Sequence, residues 1–98
     1  MNGDQRFMDV LDELQEIHVK KSADYGTKED FLANVRASVD WGVPAWVGAM
    51  IRANDKVIRL QSLQHKGFLA NESARDALLD LASYAVIALI LMEEEYAK

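Results

Sequence analysis

From Ala77 to Met92 the chain is apolar almost all the way round a helix, with only Asp80 and Ser83 plainly polar. A surface helix of a small monomer needs a single apolar stripe. One that is apolar on every side is central, or it packs against a second subunit. The longest apolar stretch, Leu81 to Met92, is interrupted by Ser83 and Tyr84 and closed by Glu93, Glu94 and Glu95. It falls short of the ~20 residues that span a bilayer, so it reads as a buried helix and no membrane partner is expected. The 98 residues make one domain, 1–98, of a size whose stability is often supplemented by disulfides, metals or oligomerisation. Cysteine is absent, which suits a reducing cytoplasm. His18 and His65 are too far apart in sequence to make a ligand-spaced pair for zinc. A homo-oligomer joined through the helix Ala77 to Met92 is the supplement that remains.

The rest of the chain is also helical in pattern, and no segment alternates as a strand does. Phe7, Val10, Leu11, Leu14 and Ile17 recur at helical spacing, which predicts a first helix from about Asp4 to Ser22 that stops before Asp24-Tyr25-Gly26. Thr27, with Asp30 three residues later, predicts the start of a short second helix ended by Trp41-Gly42. Pro44 suits the first turn of a third helix, and Gly67 can take the left-handed conformation that closes it. Asn71 or Ser73 caps the fourth. The fold class is all-α, bundle-like, with four helices.

Three polar clusters are candidates for chemistry. Glu72, Asp76 and Asp80 follow at four-residue steps, so on one helix they would form an acidic stripe two turns long. Like charges at that spacing are destabilising unless neutralised, by magnesium with its preference for oxygen or by basic residues of a neighbouring helix. Glu72 reads equally well as part of a solvated face. Asp80 lies among Leu78, Leu79, Leu81 and Ala82, so it is at least partly buried and needs a partner. Arg52, Asp55, Lys56 and Arg59 form the second cluster. It is an ion-pair ladder in which Asp55 pairs with Arg59, or a phosphate-sized positive patch in an otherwise acidic chain. The third is Lys21 with Asp24-Tyr25-Gly26, either a turn with a stacking ring or a plain helix stop. The net charge of −5 argues against nonspecific nucleic-acid binding, which needs clustered Lys and Arg.

In order along the chain, Lys21-x-x-Asp24-Tyr25-Gly26, Arg52-x-x-Asp55-Lys56-x-x-Arg59-Leu60 and Glu72-Ser73-x-x-Asp76-x-Leu78-x-Asp80-Leu81-Ala82-x-Tyr84-Ala85 resemble the small phage and bacterial proteins called nucleotide modification associated domains, of the first type. The resemblance covers roughly residues 10 to 92. That family is in turn similar to the MazG-like all-α pyrophosphatases, helical oligomers that hold magnesium with acidic motifs on two adjacent helices and release pyrophosphate from a nucleoside triphosphate. It implies a MazG-like fold, with Asp80, Asp76 and Glu72 in the second acidic motif and the first motif near Arg52 to Lys56. At that point the chain offers Asn54 and Asp55 beside basic residues rather than several glutamates. Fewer carboxylates means weaker magnesium binding and less orientation of a water.

The resulting expectation is a cytoplasmic helical protein of phage or bacterial type (in the host cytoplasm, if viral) that binds a nucleotide, for instance a signalling nucleotide, without chemistry. Arg52, Lys56, Arg59 and Lys21 would contact phosphate, and Tyr25 or Tyr84 the base or sugar. Glu72, Asp76 and Asp80 would hold magnesium or orient the cations. A magnesium-dependent pyrophosphohydrolase and a purely structural oligomer are the alternatives.

Overall fold

The computed structural model describes residues 2–25, 30, 32–69 and 72–97, with Tyr25 through its backbone alone. Among these residues every regular element is helical: α1 (Gln5–Tyr25), α2 (Ala33–Arg36), a 3-10 helix (Ala37–Trp41), α3 (Ala45–Lys66) and α4 (Ala74–Tyr96). The all-α expectation holds. The chain divides into two compact units, Met1–Asn34 and Val35–Lys98.

In the first unit, Asp4 stands ahead of α1 and accepts the Arg6 backbone N–H at 2.8 Å, occupying one of the donors that a helix start leaves open. The helix runs three residues past its expected end at Ser22. Ser22 does not stop it because its hydroxyl donates to the His18 carbonyl one turn back, at 2.8 Å, which keeps the polar side chain inside the helical pattern. Asp24 and Tyr25 are therefore the last residues of α1 rather than the start of a turn. Thr27 lies outside the described residues. Asp30 accepts from Leu32 N–H through its carboxylate at 3.0 Å, and its carbonyl accepts from Ala33 N–H at 3.3 Å, which starts α2.

The second unit opens on Val35, and its 3-10 helix ends at Gly42, whose φ of 78° is left-handed backbone that glycine adopts without strain. Pro44 is the N-cap of α3. Gly67, at φ 81°, closes that helix by donating its N–H to the Leu63 carbonyl. Ser73 caps α4 by accepting the Asp76 N–H at 3.0 Å. The two long helices lie antiparallel, with Ala45 and Leu91 near one end and Lys56 beside Asp80 towards the other. Small buried residues mark their seam: Ala49 and Ala53 on α3, Ala77 and Ala88 on α4, with Leu91 on the same face of α4. Arg36 joins the far end of α4 through Glu94, at 2.5 and 3.1 Å. No helix among the described residues is long and apolar enough to cross a membrane.

At Gly48 the 3-10 helix crosses close to α3. A methyl group there would stand 2.6 Å from Ser38 Cβ and 2.4 Å from Ser38 Oγ, and that hydroxyl is held by donating to the Val43 carbonyl at 3.1 Å. Alanine is the better helix former by about 1 kcal/mol, yet overpacking costs about 1–3 kcal/mol. Gly48→Ala is therefore expected to lower the melting temperature followed by circular dichroism, and Ser38→Gly in the same chain should restore part of the loss. A melting temperature raised by Gly48→Ala would contradict this close approach.

Candidate functional site

Lys56 lies in the middle of α3 at the level where α4 begins. Its stem rests on the seam, and its side chain is 16% exposed, which suits a long aliphatic chain with a charged tip. The ammonium meets two carboxylates: Glu72 Oε1 at 2.9 Å and Asp80 Oδ2 at 3.0 Å. Both carboxylate side chains share that low exposure of 16%. Arg59, one turn further along α3 and half-exposed, brings its Nε to 3.7 Å from Glu72 Oε2. That is close enough for ionic attraction and too long for a hydrogen bond. Glu72 Oε2 is consequently a buried oxygen without a hydrogen-bond partner among the described residues.

The geometry departs from the acidic stripe. Glu72 precedes the Ser73 N-cap and so lies outside α4, where helical spacing no longer governs its direction. Asp76 is in the first turn and exposed, with its backbone N–H on Ser73. Only Glu72 and Asp80 come together, and they do so on the Lys56 ammonium. Glu72 is also as buried as Asp80, rather than part of a solvated face. Arg59 turns to Glu72, so the pairing of Asp55 with Arg59 gives way to a contact with the segment just before α4; Asp55 is exposed. Arg52 is half-buried one turn before Lys56, and Tyr84 is half-buried one turn after Asp80. Lys21 and Asp24 belong to α1 in the other unit, and the Tyr25 side chain lies outside the described residues.

Among the described residues no three His, Cys, Asp or Glu side chains gather as metal ligands. The point on which the two carboxylates converge is held by a tethered ammonium. The residues present thus fit an internal cation better than a magnesium cage. Pairs 16 or more positions apart obey no local spacing rule, so the Lys56–Glu72 contact left no trace in the sequence pattern. The Arg36–Glu94 pair likewise joins residues 58 positions apart. It borders an open groove of about 690 Å³ along Val39, Val43, Pro44 and Leu91. No family model, curated protein or solved structure matches the chain.

Burial pulls the Lys56 ammonium towards neutrality, but its hydrogen bonds to Glu72 and Asp80 outweigh burial and hold its pKa above the ordinary lysine value. A cation whose pKa is raised by folding contributes stability fully below the unfolded value, about 10.4, and loses it as pH rises through the higher folded value. Denaturation followed against pH should show this contribution intact at pH 8 and decaying above roughly pH 10.5. Lys56→Met should lack that alkaline step. It should also be less stable near neutrality, by less than the ~3 kcal/mol that breaking a fully buried pair costs. An unchanged alkaline profile in Lys56→Met would show that the ion pair is solvated.

Proposed function

We propose that this chain is a MazG-like helical protein that binds the phosphates of a nucleotide at the α3–α4 cluster and sequesters it without catalysis. One observation carries the reading: two cations, Lys56 and Arg59, stand one turn apart on α3 and are aimed by carboxylates beside the start of α4. An ammonium has three donors and a guanidinium five. Glu72 and Asp80 engage two of the Lys56 donors, and the half-exposed Arg59 makes only its long approach to Glu72 among the described residues. Donors remain for phosphate oxygens, with Arg52 a turn away and the Tyr84 ring near enough along α4 to meet a sugar or base.

The phage or bacterial character and the cytoplasmic setting rest on the sequence resemblance. A second reading, magnesium-dependent release of pyrophosphate, draws on the convergence of Glu72 and Asp80. Magnesium would first have to displace the Lys56 ammonium, which favours the metal-free binder.

Arg59→Ala is expected to weaken nucleoside triphosphate binding by ten- to a hundredfold, from charge-assisted contacts worth ~1.5–3 kcal/mol, while helical content stays intact. Calorimetric titration in EDTA should still show binding by the natural chain. Binding that collapses in EDTA, together with pyrophosphate release that needs magnesium, would replace this reading with the hydrolase. Failure of every nucleotide, with or without metal, would leave a structural oligomer.

The oligomer is part of the same proposal. Leu78, Val86 and Leu89 on α4 are each more than half exposed, and Ile51 and Ile58 on α3 likewise, apolar surface that favours burial against a second copy. Light scattering should give a dimer or larger at micromolar concentration, and Leu89→Asp should dissociate or unfold it. An 11 kDa particle would end this part of the reading.

A further inference from the structure

Resting on the phosphate-binding reading, we propose that Glu72 is a specificity-determining residue. Its carboxylate occupies the anion position of the site and yields it to a chain of linked phosphates in preference to a single one. Lys56 and Arg59 stand against Glu72 and Asp80, so these four charges cancel one another. An anion that enters while both carboxylates stay has to share the cations with them. It gains most when one carboxylate leaves.

The two carboxylates are not equally placed to leave. Asp80 belongs to the second turn of α4, and its position is set by the helix backbone. Glu72 precedes the N-cap and has no helical backbone of its own to hold it. Its Oε1 is well bonded to Lys56 at 2.9 Å, whereas its Oε2 is buried without a hydrogen bond among the described residues and lies 3.7 Å from Arg59. A buried acceptor left unsatisfied is unfavourable, and moving Glu72 into water relieves that. The group best able to mimic a bound anion is therefore also the one most readily exchanged.

The exchange sets a threshold of charge. A single phosphate that displaces Glu72 replaces one anion with another, and its bonds to the cations do little more than stand in for those of the carboxylate. A chain of linked phosphates brings additional charge to Lys56 and Arg59 together, and it gains from both. Asp80 stays in place and keeps Lys56 oriented during the exchange.

The test is calorimetric titration in EDTA of the natural chain and of Glu72→Gln with orthophosphate and with tripolyphosphate. The natural chain should prefer tripolyphosphate strongly. Glu72→Gln keeps a hydrogen-bonding side chain and removes its charge. It should bind orthophosphate about tenfold tighter, the worth of one charge-assisted contact, and discriminate less between the two anions. Tripolyphosphate binding by the natural chain, with no gain for orthophosphate in Glu72→Gln, would overturn the role of Glu72 and leave the phosphate site standing. No binding of either anion by either protein would overturn both. Should Glu72→Gln lose its helical circular dichroism, amide hydrogen exchange of the natural chain decides. Saturating tripolyphosphate should speed exchange at Glu72, Ser73 and the first turn of α4, and unchanged or slower exchange there would overturn the proposal.

Discussion

The contact between α3 and α4 is made with small side chains, and the polar site depends on that. Ala49, Ala53, Ala77 and Ala88 are at most 5% exposed, and a seam of Cβ methyl groups lets two helical backbones approach more closely than leucine would. Lys56 reaches both Glu72 and Asp80 because the helices are that close, and its methylene stem is shielded for the same reason. Each alanine contributes little hydrophobic free energy, in proportion to its small area. The pair is therefore held by close packing of small side chains, and the Lys56–Asp80 ion pair spans the two helices. Gly48 extends the same logic to the 3-10 helix, where even one methyl group has no room.

The helices were legible in the sequence because their ends carry residues with one dominant use. Pro44, Gly67, Gly42 and Ser73 each act through backbone conformation or a single hydrogen bond, and neither depends on the rest of the fold. Asp80 was legible in another way: a carboxylate among four apolar neighbours needs a partner wherever the chain folds, and Lys56 is that partner. Glu72 was not. A stripe at four-residue steps presumes one continuous helix, and the capping hydroxyl of Ser73 ends that helix one residue short of it. The extra residues of α1 were missed because Asp24-Tyr25-Gly26 looks like a turn, while the Ser22 hydroxyl bonds back into the helix instead.

Which cation answers which anion could not be read from spacing either. Arg59 sits four residues after Asp55, an arrangement that supports an ion pair along one helix, yet Arg59 approaches Glu72. A pair on an exposed helix face is worth a few tenths of a kcal/mol, so a half-buried carboxylate across the seam readily outcompetes it. The phosphate-binding reading depends on the same ranking. A lysine engaged by two carboxylates is a poorer isolated anion trap than the sequence suggests, but its ammonium is already desolvated and aimed, so less ordering remains when a ligand arrives.

Only seven positions, 67–73, connect α3 to α4, which gives the second unit a short search in folding. Closing a loop of about that length takes on the order of 10–100 ns, and helical elements adjacent in the chain make mainly local contacts, the condition for folding in microseconds to milliseconds. Within that hairpin, Lys56 and Asp80 lie on either side of the connection, and Glu72 lies within it near its end. The charged cluster is thus assembled by the same short closure that pairs the two helices, and no slow long-range search has to precede it.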